Sequence, residues 1–214
     1  MSKNQQGLSD EIKAPIENIF FTTLEEVSKC FWEDTPYIVK IANDIIRLPH
    51  FIQQEIFWNK FYKYVIGIKT DSEFSVKFAT KIANADDRRE YASRIISIID
   101  KIEEMQKIDF IINATRAFCW DRITRNEFFR ICHTVEKVYI DDLDFLMKNY
   151  NPQKYFVEDI NAVGLTSYGL MRKAVIDGGS WDEDDDGVAE THVFTELAKL
   201  VYDNALMYDK REEL

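Results

Sequence analysis

Apolar residues recur every three or four positions over most of the chain, which predicts amphipathic helices. The clearest stretch is 124–149, whose apolar residues are Phe128, Ile131, Cys132, Val135, Val138, Tyr139, Leu143 and Leu146. Thr124 and Glu127 have the spacing of a capping box, which marks the start of a helix. We therefore expect one long helix here, with the other helices packed around it.

The same periodicity predicts several helices before this stretch. Pro15 and Pro36 suit first helical positions, because a missing N–H costs nothing there. Gly67 and the polar run 70–73 indicate a turn. The predicted helices cover 15–31, 36–47, 51–66, 74–82, a segment that begins near Asn84, and 105–120.

The pattern changes near Asn151 and Pro152. A short helix is predicted at 155–161, followed by β-prone segments at 170–176 and 192–194 on either side of a long acidic loop. Thr195 caps a final helix, 196–208. The predicted fold is mainly α, with a helical bundle over 1–150. A small C-terminal winged-helix-like α+β subdomain with an acidic hairpin loop covers 151–214.

The helix predicted at 51–66 is rich in aromatic residues, and Lys60 and Lys63 lie among them. Such rings fill a core or a partner's groove, and an alternative is a membrane interface, where Trp and Tyr place their rings at headgroup level. We take five aromatic residues as candidates for interaction: four in this helix and one beside the acidic loop. They are Phe57, Trp58, Phe61, Tyr62 and Trp181.

The net charge and the cysteine content limit the kinds of binding partner and the cellular compartment that are expected. The chain has 27 Lys and Arg against 38 Asp and Glu, a net charge of −11, which disfavours nucleic acid and anionic lipid unless a local basic patch overrides the total. Three widely spaced cysteines are typical of a reduced protein. Neither a signal peptide nor a long apolar run is evident, so the expected location is the cytoplasm.

The acidic loop contains the clearest pattern typical of a metal site. Asp182, Asp184 and Asp186, followed by Gly187, match the start of a calcium-binding loop. The twelfth position, where such a loop has a bidentate Glu, is Val193. Weak divalent binding and a solvated loop tip both remain open.

Motifs for catalysis or for a cofactor are missing from the sequence. Cys132 and His133 are adjacent on a predicted helix, so their side chains diverge by about 100° and cannot act as a nucleophile and base. Asp141, Asp142 and Asp144 form a carboxylate cluster near the predicted end of the long helix, which could serve acid/base chemistry or hold a metal. A solvated face is the commoner explanation, because no His or second carboxylate motif at ligand spacing accompanies them. No catalytic residue and no cofactor is assigned, and a non-enzymatic protein is expected.

Four segments carry a resemblance to a known group: RIISIIDKIEEMQKIDFIINA, ITRNEFFRICHTVEKVYIDDLDFL, GLMRKAV and HVFTELAKLV. They are similar to small, mostly helical bacterial proteins of unassigned function, associated with prophages and mobile elements and similar to abortive-infection proteins. The resemblance covers about the last two thirds of the chain. It implies a context of phage conflict and no particular site residue.

Together these patterns predict a regulatory protein that binds another protein, in phage defence or toxin–antitoxin control. One alternative is an effector that acts at a membrane through the helix 51–66. Another is a winged-helix transcription regulator, although Glu158 and Asp159 precede the predicted hairpin and its tip is acidic, which favours a protein partner over DNA. Self-association stays open.

Overall fold

The structure, a computed structural model, describes residues 55–82, 85–157, 159–174 and 191–208. This part of the chain is mainly helical, with eight α-helices and one three-stranded antiparallel sheet. The helices are α1 (Glu55–Lys69), α2 (Ser72–Lys81), α3 (Ala85–Lys101), α4 (Lys107–Cys119), α5 (Arg125–Lys137), α6 (Ile140–Asn149), α7 (Ile160–Ser167) and α8 (Glu196–Val201). The strands are β1 (Phe156–Val157), β2 (Met171–Lys173) and β3 (Thr191–Phe194). The mainly α prediction is confirmed, while the helices predicted at 15–31 and 36–47 lie outside the described residues.

Among the helices that the structure describes, α4 is the central one. It packs against α1, α2 and α5, and against a π-helical turn, Tyr202–Leu206, that continues α8. Apolar or small residues occupy most of its circumference, and a helix of that kind becomes buried. The prediction that 124–149 forms the central helix is therefore wrong.

The stretch 124–149 forms two helices, so the prediction of one long helix is also wrong. The predicted capping box at the start of α5 is confirmed: Glu127 N donates to Thr124 Oγ1 at 3.3 Å, and Thr124 N donates to Glu127 Oε2 at 2.7 Å. The chain then becomes extended at Val138 and Tyr139. Val138 is fully buried while Tyr139 is exposed, so the break keeps the valine in the core.

Gly67 lies inside α1 and marks no turn, contrary to the prediction. A Cβ atom at this position would lie 2.3 Å from Ile112 Cδ1 of α4. The glycine therefore lets the two helices approach closely. The turn comes later, where the Asp71 side chain caps α2 by accepting from Phe74 N at 3.1 Å.

Tyr91 is the centre of an aromatic core between α3, α4 and α5. Its ring stacks on Phe128, with centroids 5.5 Å apart, and meets Phe78 edge-on at 5.4 Å. Its hydroxyl lies 2.8 Å from Tyr64 Oη, which lies 3.0 Å from Thr115 Oγ1. Burial raises the pKa of both tyrosines, so both stay protonated at neutral pH.

One buried lysine joins α1 to the end of α3. Lys60 Nζ donates to the backbone oxygens of Asp100 and Ile102. Burial lowers the pKa of Lys60, while the charges of Asp100 and Glu103 oppose this effect. The ammonium group therefore satisfies carbonyl groups that the end of a helix leaves without partners.

The sheet has the order β1–β3–β2, with both outer strands antiparallel to β3. The predicted pairing of the segments 170–176 and 192–194 is confirmed over Met171–Lys173 and Thr191–Phe194. The helix predicted at 155–161 is wrong in its first part, because Phe156 and Val157 form β1. One hydrophobic cluster includes residues on both sides of position 150, among them Phe57 and Leu206. The predicted division into a bundle over 1–150 and a subdomain over 151–214 stays a prediction.

The predicted final helix is confirmed as α8. The side chain of Thr195 accepts from Ala198 N at 3.2 Å and caps its start. The helix then widens into the π-helical turn. Asn113 of α4 donates to Ala205 O at 2.8 Å, which joins this turn to the central helix.

Candidate functional site

Exposed apolar side chains are concentrated in β1, α7 and the residue before β1. Tyr155, Val157, Ile160 and Val163 are 62%, 64%, 85% and 47% exposed. We call these four residues the β1–α7 patch. A single exposed apolar residue is ordinary, whereas four of them between residues 155 and 163 are a candidate surface for binding another molecule.

The alternation of side chains along β1 accounts for the exposure of Tyr155 and Val157. Successive side chains of a strand point to opposite faces. Phe156 is directed inward, with its ring centroid 5.7 Å from that of Phe145 and 5.1 Å from that of Phe194. Tyr155 and Val157 are consequently directed outward.

The helix explains the other half. Asp159 caps α7, its Oδ1 accepting from Ala162 N at 2.7 Å. Ala162 and Leu165 are buried, so Ile160 and Val163, three residues apart, share the opposite face. The helix sequence INAVGLTS contains no Lys or Arg.

A close contact with α6 holds α7 in place. Asn161 Nδ2 donates to Asp142 Oδ1 at 3.1 Å. A Cβ atom at Gly164 would lie 2.3 Å from Asp142 Oδ2, so the glycine leaves room for the Asp142 carboxylate in this position. Burial raises the pKa of Asp142, the Asn161 hydrogen bond opposes the shift, and the nearby Asp141 and Asp159 add to it.

The patch borders an edge of the sheet. Among the described strands, β1 pairs with β3 alone, so its other side has no strand beside it. Free edges of this kind accept a strand from another chain. The patch therefore combines apolar side chains with backbone groups that can form hydrogen bonds.

The residues of the aromatic helix that are predicted to bind a partner differ in their burial. Phe57 and Phe61 are buried, with ring centroids 5.8 Å apart, which agrees with the core packing that the sequence left open. Tyr62 is 41% exposed. The side chain of Trp58 and the whole of the acidic loop lie outside the described residues. The candidates there, Trp181, Asp182, Asp184 and Asp186, stay predictions.

The carboxylates at 141–144 occupy a different position from the one predicted. Asp141 and Asp142 lie in the first turn of α6, whereas the sequence suggested the end of a long helix. Acids in a first turn are favoured by the helix dipole. Within the described residues, no group of three or more His, Cys, Asp or Glu could hold a metal ion.

The described thiols are buried. Burial raises the pKa of Cys119 to about 12 and that of Cys132 well above its usual value. His133 is exposed while Cys132 is fully buried, so the two side chains lie on different faces of α5. Both thiols are thus protonated and inaccessible at neutral pH.

The patch is not predicted from the sequence, because residues 155–161 are predicted to form a helix. Two signals were present in the sequence. Tyr155, Phe156 and Val157 are β-prone, and Asp159 stands three residues before Ala162, which is the spacing of a capped start. A strand of two residues is too short for its alternation to be recognised.

Comparison with known proteins gives no relative: no family model, no curated protein and no solved structure matches the chain. The similarity to prophage-associated proteins therefore stays a prediction. Within the described ranges, every helix is too short or too polar to cross a bilayer.

Proposed function

We propose that this chain is a non-enzymatic regulatory protein that binds another protein through the β1–α7 patch. The observation that carries the proposal is the exposure of Ile160 and Val163 on a helix that is capped and fixed to α6. Burying such residues against a partner is favourable by about 25 cal/mol per Å² of apolar surface. The similarity to prophage-associated proteins supplies the proposed context, phage defence or toxin–antitoxin control.

The order of elements supports a winged-helix-like subdomain over 151–214. A helix lies between β1 and β2, and β3 pairs with both strands. In a DNA-binding version, the helix before the hairpin enters the major groove and carries basic residues. Because α7 has no basic residue and exposes two apolar ones, a protein partner is favoured over DNA.

The test compares two matched valines. Val163 of α7 and Val76 of α2 are 47% and 41% exposed, and both lie on helices. Chains carrying Ile160→Asp, Val163→Asp or Val76→Asp are expressed in the native host and cross-linked before purification. We expect the first two variants to lose a partner that wild type and Val76→Asp retain. Asp at position 160 is compatible with the first turn of a helix, so the loss would reflect the surface and not unfolding.

Three results would contradict the proposal. The first is a set of partners that is the same for Val163→Asp and wild type. The second is salt-dependent binding to duplex DNA that the patch variants leave unchanged. The third is the loss of the same partner in Val76→Asp. Sedimentation of the purified chain shows whether the partner is a second copy, in which case Val163→Asp should be monomeric.

A further inference from the structure

A basic groove lies between α3, α5 and the end of α7. Its volume is about 610 Å³, and Arg94, Arg130, His133, Lys137 and Tyr168 contribute to its walls. Pockets for small molecules measure about 300–1,000 Å³. The groove is separate from the residues of the β1–α7 patch.

The floor of the groove is the polar face of α5. Phe128, Cys132 and Val135 form the buried face of this helix. Arg130 and Lys137, two turns apart on its other side, line the groove. A polar helix face is usually only solvated. Here Arg94 of α3 borders it, as do Ser167 and Tyr168 at the end of α7, which makes it an open groove.

The walls carry positive charge in a protein of net charge −11. Arg94 is held in position: its Cζ lies 3.6 Å from the ring centroid of Phe129, and its Nη1 lies 3.2 Å from Glu90 Oε1. Arg130 and Lys137 form no ion pair with any residue that the structure describes. No carboxylate is among the described residues that line the groove.

The polar side chains of the groove differ in whether they offer a ligand hydrogen-bond donors or acceptors. The hydroxyls of Thr134 and Ser167 donate to the carbonyl groups of Arg130 and Val163, so they offer lone pairs to a ligand. Donors to an anion come from the guanidinium and ammonium groups. Arginine forms paired hydrogen bonds with phosphate oxygens, which a point charge cannot do.

We infer that this groove binds the phosphate group of a small phosphorylated molecule of about mononucleotide size. Arg94 and Arg130 contact the phosphate oxygens, Lys137 adds charge, and the half-buried ring of Tyr168 packs against the organic part. A nucleic acid strand needs a longer basic track than this groove offers on an acidic chain. A small ligand is therefore favoured over a polymer.

The test is an NMR titration of the ¹⁵N-labelled chain at low salt with AMP, ADP, adenosine and inorganic phosphate. We expect AMP to bind at least about tenfold more tightly than adenosine, because charged hydrogen bonds supply the difference. Shifted resonances should come from α3, α5 and the end of α7. Arg130→Gln should weaken AMP binding by about tenfold, while Lys199→Gln, at an exposed lysine of α8, should leave it unchanged. Lys137→Gln is the second variant if Arg130→Gln does not fold.

His133 gives a second readout. Burial lowers its pKa, and the charges of Arg94, Lys137 and Lys101 act in the same direction, against Glu136, whose Oε2 lies 3.9 Å from Nδ1. A bound phosphate adds negative charge beside the ring. The pKa of His133, followed through its imidazole resonances, should therefore rise when AMP saturates the groove and stay unchanged with adenosine.

Several outcomes would overturn the inference. They are equal binding of AMP and adenosine, no shifts up to about 10 mM AMP, or equal weakening by Lys199→Gln. Binding of a short oligonucleotide or a Glu-rich peptide that depends on Arg130, without binding of AMP, would assign the groove to a macromolecule instead. Val163→Asn removes the apolar side chain without adding charge near Ser167 and should retain AMP binding, so failure here is distinguishable from failure of the proposed protein partner.

Discussion

The buried hydroxyl chain in the core allows a prediction about proton order. Thr115 Oγ1 donates to Ile111 O at 2.8 Å, so its single hydrogen is used. Tyr64 must then donate to Thr115, and Tyr91 must donate to Tyr64. Every hydroxyl hydrogen in the chain has an acceptor, and the three residues occupy α1, α3 and α4.

Because of this order of donors and acceptors, removing the hydroxyl of Tyr64 should cost more stability than removing that of Tyr91. Tyr91→Phe removes one hydrogen bond and leaves no donor unpaired, so the free energy of unfolding should fall by about 1 kcal/mol. Tyr64→Phe removes two hydrogen bonds and leaves the Tyr91 hydroxyl buried without an acceptor. Losing the bond to Thr115 costs about 1 kcal/mol, and leaving the Tyr91 hydroxyl unpaired costs about 1–3 kcal/mol, so the total loss should be about 2–4 kcal/mol. The double variant removes the orphan donor and should be no less stable than Tyr64→Phe alone.

Urea unfolding followed by far-UV circular dichroism measures these differences, provided that the dependence on urea concentration is the same for all chains. A matched comparison is built in, since both substitutions remove one hydroxyl from a fully buried ring. The proton order would be refuted by a larger loss in Tyr91→Phe than in Tyr64→Phe. Simple addition of the two losses in the double variant would refute it as well.

Three further predictions concern local contacts. Thr124→Ala removes the cap of α5 and should lower the free energy of unfolding by about 1 kcal/mol, measured by urea unfolding; no loss would contradict the role of the cap. Asp71 lies 2.8 Å from the buried guanidinium of Arg116, which holds the pKa of that carboxyl below its ordinary value. Stability from such a group is present at neutral pH and is lost as pH falls through the folded pKa. Asp71→Asn should therefore lower Tm at pH 7 and matter less in acid, and a constant difference would argue against the ion pair. The contribution of Asp142 to stability has the opposite pH dependence. Because its pKa is raised in the folded state, this stability is lost as pH rises through the folded pKa. Asp142→Asn keeps an acceptor for Asn161, so Tm should rise at pH 7 and match wild type below about pH 4; a lower Tm at pH 7 would contradict this sign.

Periodicity and capping residues predict the helices of the described chain well. The start of α5 could be placed from Thr124 and Glu127 because the capping box depends only on neighbours in sequence. The break after Lys137 could not be predicted, because Val138 and Tyr139 continue the apolar spacing of a helix. Their extended backbone leaves no mark in that spacing. The choice of α4 as the central helix depends on packing between distant segments, which spacing does not encode.

The candidate sites were harder to predict than the helices. The β1–α7 patch depends on a strand of two residues that forms only when β3 is beside it. The basic groove joins Arg94 to Arg130 and Tyr168, which are far apart in the chain. The spacing of Arg130, His133 and Lys137 on one helix face is visible in the sequence, but the walls that make it concave are not.

The pairing of both β1 and β2 with β3 has a consequence for synthesis on the ribosome. The outer strands leave the exit tunnel before the strand that joins them, so neither finds its sheet partner until residues beyond Phe194 have emerged. Chains that stop short of β3 would display two unsatisfied strands and the inner face of Phe156, surfaces that promote aggregation. Chaperone demand should therefore be highest in the interval between the emergence of β2 and that of β3.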